Sequence, residues 1–168
     1  MAMEKIIEKH SLIGKRVTKL DAPDKAVART RYINDMVLPR MLYGKILRTD
    51  RVHARILSID TSAAEALPGV QAVITAKDTP DGKIGVLRDN PPLKTDTVRC
   101  IRDEIAAVAA DSEEICDEAI RLIKVEYEVL PSVFDCTEAL AEGAPIIHED
   151  RPDNIAMEQN FEHGDMRE

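Results

Sequence analysis

From Leu42 to Val70 the chain reads LYGKILRTDRVHARILSIDTSAAEALPGV, and its apolar and polar positions fall into an ordered series. Leu42–Arg48 and Val52–Asp60 are aliphatic-rich segments of strand length, separated by the polar break Thr49-Asp50-Arg51. Asp60-Thr61-Ser62 then offers side-chain oxygens to a helix start, and Ser62 with Glu65 has the spacing of a capping box. Ala63, Ala64, Ala66 and Leu67 favour helix, Pro68-Gly69 stops it, and a strand resumes over Val70–Ala76. A second patterned region runs from Asp96 to Leu130. Thr97–Ile101 and Glu104–Ala110 read as strands, the latter apolar at consecutive positions and so expected to be buried on both faces.

Asp111 or Ser112 is placed to cap a helix through Ile123, Asp111 having capping-box spacing to Glu114. Ile115, Cys116, Ala119, Ile120 and Ile123 form its apolar stripe, while Glu113, Glu118 and Arg121 face water. Lys124–Val129 alternates, which puts Val125, Tyr127 and Val129 on the core side. Strand, helix and strand in this order make a βαβ candidate, right-handed if the two strands are parallel. The expected fold class is therefore α/β, in the mixed α+β sense, with βαβ-type units.

The remaining segments carry weaker patterns. Lys77–Pro92 is punctuated by Pro80, Gly82, Gly85 and Pro91-Pro92, leaving room for one short strand at Ile84–Leu87. A loop of this length is usually a contact element. Met1–Lys9 suits a short helix or a tail, and Leu12–Arg16 through Asp24 an extended arm. Lys25–Met36 has no clear period, with Ala26, Val27, Tyr32 and Ile33 as expected anchors, and this first third is expected to pack against something larger. Asp135 or Thr137 opens a short helix over Glu138–Ala141, stopped by Gly143 and Pro145, and Ile146–Glu168 has no strong period.

Composition narrows the function classes. With 168 residues, 44% hydrophobic and 32% charged, the chain suits one domain able to bury roughly 70% of its unfolded surface. The longest uninterrupted apolar run, Ile105–Ala110, is six residues, against about 20 for a membrane-spanning helix. Met1–Ser11 carries Glu4, Lys5, Glu8 and Lys9 in place of a signal peptide's apolar core. A cytoplasmic location is the expectation, with no membrane partner.

Net charge is −8, divided as +6 over residues 1–60 and −14 over the rest. Nucleic acid is not an expected partner, because five aromatic residues and no tryptophan supply few stacking platforms.

Candidate chemistry is sparse. Cys100, Cys116 and Cys136 lack any C-x-x-C pairing and read as buried thiols acting as small apolar residues. His10, His53, His148 and His163 show no metal-ligand spacing, and His53 within a strand reads as a structural, hydrogen-bonded histidine. There is no G-x-S-x-G and no G-x-G-x-x-G. Gly82-Lys83-Ile84-Gly85 is no phosphate cradle. The carboxylate pairs Asp103-Glu104, Glu113-Glu114, Glu126/Glu128 and Glu149-Asp150 each suit a strand lead-in, a helix N-terminus, an exposed strand face or a loop.

Asp21-Ala22-Pro23-Asp24-Lys25, LYGKILRT, VHARILSID, TSAAEALPGV and KVEYEVLP together resemble the amino-terminal α/β hammerhead domain of the molybdopterin-binding large subunit of molybdenum hydroxylases, which include xanthine dehydrogenase, aldehyde oxidoreductase, nicotinate dehydrogenase and 4-hydroxybenzoyl-CoA reductase. The likeness runs from about Ile13 to the C-terminus. It departs from the family at Ala28, where glycine is frequent, at Asp50–Arg55, and at Arg102-Asp103-Glu104, where the family commonly has Gly before Glu/Asp-Pro.

The resemblance implies an N-terminal tail over residues 1–13, a hammerhead domain over 14–145 and a linker over 146–168 leading to a molybdopterin-binding domain. It implies an oxidoreductase that, when complete, uses molybdopterin with molybdenum, [2Fe–2S] clusters and FAD. The implied partners are the downstream molybdopterin-binding domain and the iron–sulfur and FAD subunits or domains. No catalytic, cofactor-binding or metal-binding residue maps onto residues 1–168, so a scaffold and subunit-contact role is expected. Two alternatives stand beside it. Pro152-Asp153-Asn154-Ile155 after Ile147-His148 resembles the 4-hydroxybenzoyl-CoA reductase branch, and the chain could also be a free-standing binding module.

Overall fold

In the computed structural model, residues 12–164 are described, and the expectation of a helix or tail at Met1–Lys9 lies outside them. They divide into two units, one ending at Pro39 and one beginning at Arg40.

Among its described residues the first unit has little regular structure. A single turn of helix, α1 (Ala22–Ala26), starts with Pro23 in its first turn, and a 3-10 turn covers Ile33–Asp35. Asp35 accepts the Tyr32 backbone N–H at 2.9 Å, and Asp24 accepts from Arg29 at 3.0 Å. The expected anchors do not form a core. Ala26 is exposed, as are Val27, Tyr32 and Ile33 at 63%, 55% and 84%. The two short turns among the described residues supply no second layer against which an apolar face could be buried.

The second unit holds two three-stranded sheets. Its strands are β1 (Tyr43–Arg48), β2 (Ala54–Asp60), β3 (Val70–Thr75), β4 (Thr97–Val98), β5 (Glu104–Ala110) and β6 (Lys124–Val129). One sheet has the order β1-β5-β3 and the other β4-β2-β6, so the chain passes back and forth between the sheets. Each of these pairings is antiparallel. The expected βαβ unit is thereby corrected. Helix α3 (Glu113–Leu122) does connect β5 to β6, but it carries the chain from one sheet to the other rather than across one parallel sheet. Ala106, Val108 and Ala110 of β5 pack with Cys116, Ala119 and Ile123 on α3's side, together with Ala64 of α2 (Ser62–Glu65). Ile105 of β5 instead joins a second cluster with Ala54, Ile56 and Val98. Alanines at the β5–α3 contact let helix and sheet approach closely, as close packing demands. Leu47, Ile59 and Val125 touch both clusters and join them.

Local chemistry explains the ends of these elements. The cap of α3 is Ser112, whose hydroxyl accepts from Ile115 N–H, while Asp111 instead accepts from the Gln71 side chain at 3.0 Å. At α2 the capping box is likewise replaced. Asp60 accepts both the backbone N–H and the hydroxyl of Ser62, and Thr61 donates to Glu65. Gly69 ends this module at φ +91°, where an added Cβ would lie 2.6 Å from Ile115 Cδ1. A side chain there would strain the left-handed backbone and push Ile115 Cδ1 aside.

Strand β4 stops at Val98, short of the expected Ile101, because Arg99 and Cys100 turn their N–H groups to the Asp103 carboxylate at 2.8 and 3.2 Å. Ile84–Leu87 is not a strand, since its sole ladder contact is an isolated bridge from Ile84 to Asn90. Val129, expected on the core side, is 68% exposed at the end of β6. Helix α4 (Cys136–Ala139) starts two residues before the expected Glu138, capped by Asp135, which accepts from Thr137 and Glu138 N–H.

Candidate functional site

Loop 77–96, the Cys100–Asp103 turn and the segment 145–156 come together around one polar centre. Its middle is Lys94, whose side chain is 5% exposed. The ammonium donates to Asn90 Oδ1 and lies 3.6 Å from Asp103 and 3.8 Å from Glu104. Its own backbone N–H donates to Glu104 O at 2.8 Å. A buried ammonium is tolerated only when opposite charges and acceptors surround it in this way. Burial works against the ionised form of Glu104, yet its backbone hydrogen bond and Arg48, aided by Lys94, outweigh that effect and hold its carboxyl below the usual value.

Two hollows adjoin this centre. One, of about 340 Å³, is bounded by Lys94, Arg99, Cys100 and Asp103. The other, of about 350 Å³, lies between Leu87, Phe134, Arg151 and Asn154. Asp89, Ile147 and His148 form their common wall. Arg99 Nε donates to Ile147 O at 2.9 Å, and Arg151 sits 3.5 Å from Asp89. Burial pushes the His148 imidazole below its ordinary pKa, and the Arg99 guanidinium adds to the effect. The imidazole is thus neutral at neutral pH.

The residues singled out from sequence are dispersed. Of the carboxylate pairs, Asp103-Glu104 is committed to Lys94 and Arg48. Glu126 accepts from Ser58, and Glu128 accepts from Arg55 at 2.6 Å, both across β2 and β6. Glu113 stands 3.9 Å from Lys45 at the start of α3, and Glu149-Asp150 is exposed. Asp103 shares a hollow with Asp89, but its carboxylate accepts from the Arg99 and Cys100 N–H groups and lies beside Lys94. His53 lies in the bend just before β2 rather than within the strand, and is buried with its Nδ1 2.5 Å from Pro131 O, a hydrogen-bonded structural histidine as expected.

The cysteine expectation needs correction. Only Cys116 is buried, donating to Tyr43 O, whereas Cys100 and Cys136 are exposed. Cys100 lies in the turn that cuts β4 short and Cys136 in the first turn of α4, both outside the packed layers.

Lys94, Arg99, His148 and Asn154 were not legible as a group. They come from two stretches about fifty residues apart, 94–99 and 148–154; the Pro-rich interruption of loop 77–92 marked one side, and the resemblance at Ile147-His148 and Pro152-Asp153-Asn154-Ile155 marked the other without joining them. Among the described residues no three His, Cys, Asp or Glu side chains converge as metal ligands. Three separated cysteines do not fit the four-ligand set of a [2Fe–2S] cluster. The ammonium and amide groups of the hollows are engaged with the chain's own acceptors. These residues can fix loops.

Two antiparallel sheets whose strands alternate along the chain, bridged by one amphipathic helix, define a mixed α/β module. The chain belongs to the family described as aldehyde oxidase and xanthine dehydrogenase, a/b hammerhead domain, which matches residues 27–131. It is 43% identical over 150 residues to a probable xanthine dehydrogenase subunit from Bacillus subtilis (strain 168), covering 88% of this chain and 20% of that one. It is 36% identical to the nicotinate dehydrogenase large molybdopterin subunit of Eubacterium barkeri, covering 94% and 37%. Among solved structures, a reconstituted CO dehydrogenase from Oligotropha carboxidovorans matches with TM-score 0.71 and 34% identity, covering 88% of this chain and 19% of that one. The chain spans about a fifth to two fifths of the length of these relatives.

Proposed function

We propose that this chain is the non-catalytic hammerhead portion of a xanthine-dehydrogenase-type molybdenum hydroxylase large subunit, acting as scaffold and subunit contact in the cytoplasm. In this reading residues 14–145 form the hammerhead domain, 1–13 a tail, and 146–168 a linker towards a molybdopterin-binding domain. Molybdopterin, [2Fe–2S] clusters and FAD belong to that domain and to further subunits, and no residue of 1–168 holds a cofactor or performs a chemical step. The observation that carries the reading is the family match over residues 27–131, the two-sheet body itself. What supports the scaffold role is that the polar groups of the Lys94 centre are spent on holding loops.

Metal analysis of the purified chain tests it. Molybdenum and iron well below one atom per chain are expected, with no oxidation of xanthine or aldehydes. Stoichiometric molybdenum or iron would overturn the assignment of the cofactors elsewhere.

A further inference from the structure

The segment after Gly143 lines the hollows and, as far as Gly164, forms no helix or strand. One side chain makes three of the hydrogen bonds that hold it. Asn154 accepts the Ile147 backbone N–H through Oδ1 at 3.0 Å, and its Nδ2 donates to Ala139 O at 3.0 Å and Pro145 O at 2.9 Å. Both amide protons and one oxygen lone pair are thus used, one on the last residue of α4 and two on the stretch Pro145–Ile147. The residue sits at φ +57°, a left-handed conformation that asparagine tolerates better than most side chains. Two tight turns lead into it, Arg151 N–H donating to His148 O and Asn154 N–H to Arg151 O. Immediately after it, Ile155 N–H donates to the Asp153 carboxylate at 3.1 Å. Arg99, through Ile147 O, and Arg151, near Asp89, fasten the same segment at two further points.

We propose that Asn154 is the positioning residue of a strap, residues 145–155, and sets the path on which the chain leaves the sheets. The amide locks the strap against α4, and the left-handed turn at Asn154 redirects the backbone at Ile155. With the amide removed, the strap detaches while the sheets stay folded, because neither hydrophobic cluster includes a residue of the strap. This role goes beyond the proposed function and holds whatever lies outside this chain.

Backbone amide exchange of the ¹⁵N-labelled full chain tests it with two variants. Asn154→Asp keeps the shape and the acceptor for Ile147, but places a carboxylate against two carbonyl oxygens. Asn154→Gly keeps the left-handed backbone without strain and removes the amide. In both, exchange at Ile147 is expected to rise on the order of a hundredfold, the effect of losing two or three modest hydrogen bonds. Exchange at Val108 and Tyr127, in the two sheets, is expected to stay within about twofold of the parent. The relaxation of Ile155 and Ala156 amides should shift to that of a free tail. Wild-type protection of Ile147 in Asn154→Gly would show that the turn alone holds the strap and would overturn the proposal. An equal rise at Ile147, Val108 and Tyr127 would also overturn it, since the residue would then support the whole unit.

Discussion

Two departures from the family resemblance acquire a physical meaning at the level of single residues. Ala28 and Arg102, the positions where glycine is frequent or common, both have left-handed backbones, with φ +54° and +75°. A side chain there crowds the carbonyl and costs about 1–2 kcal/mol, partly offset by the greater freedom glycine has when unfolded. Arg102 serves the fold through its backbone, donating to Thr49 O and accepting from Arg48, and a glycine keeps both bonds. Ala28→Gly and Arg102→Gly are therefore each expected to stabilise by about 0.5–1 kcal/mol, read as a rise in urea midpoint at constant slope. Lys94 gives the opposite case. Lys94→Met leaves Asp103 and Glu104 partly buried without their shared cation, and a loss of about 2–4 kcal/mol is expected from the same measurement. A loss below about 1 kcal/mol would mean that Asn90 and Arg48 alone hold the centre.

Elements were readable from sequence where a pattern fixes a face, and unreadable where geometry depends on a partner. The six apolar residues of Ile105–Ala110 and the alternation of Lys124–Val129 gave the bounds of β5 and β6, because burial on two faces or one leaves its own period. Nothing in those periods says which strand lies beside which. Ser112, Asp60 and Asp135 show the same limit for caps: the oxygens were in view, but which one reached the N–H was settled by the preceding turn. The strap stood out only by resemblance at Ile147-His148 and Pro152-Asp153-Asn154-Ile155; how it is held was unreadable, since that comes from one amide and two arginines without periodicity.

Its His148 nonetheless makes a testable electrostatic element. Arg99 and Arg151 oppose its protonation while Asp89 and Asp150 favour it, and with burial the balance lowers its pKa. Between the folded and unfolded values the unfolded chain binds more protons, so stability rises with pH across that window and is lost as pH falls through it. From about pH 7 to about pH 5 the parent should therefore lose more stability than His148→Asn, compared by urea titration. Equal slopes would remove His148 from the pH response.

For the unit from Arg40 onward, the decisive question is whether two sheets make one folding unit or two. The chain passes back and forth between them, so neither sheet can form from a contiguous stretch of chain. Leu47, Ile59 and Val125 pack against both clusters. Two of them adjoin irregularities in strand register: Leu47 lies at the shift between Leu47 and Arg48, and Ile59 follows the shift between Ile56 and Ser58. A bulge bends its strand and re-aims the side chains beside it, which lets one residue serve two layers. Shared residues and interleaved connectivity together demand cooperative unfolding. Leu47→Ala, half-buried at the junction, should cost about 2 kcal/mol. The loss should appear equally in the amide protection of Val108 in one sheet and Tyr127 in the other, about thirtyfold at each by the usual conversion of free energy to exchange rate. Loss confined to Val108 would separate the sheets into independent units, and the scaffold would then be hinged where Leu47 now joins it.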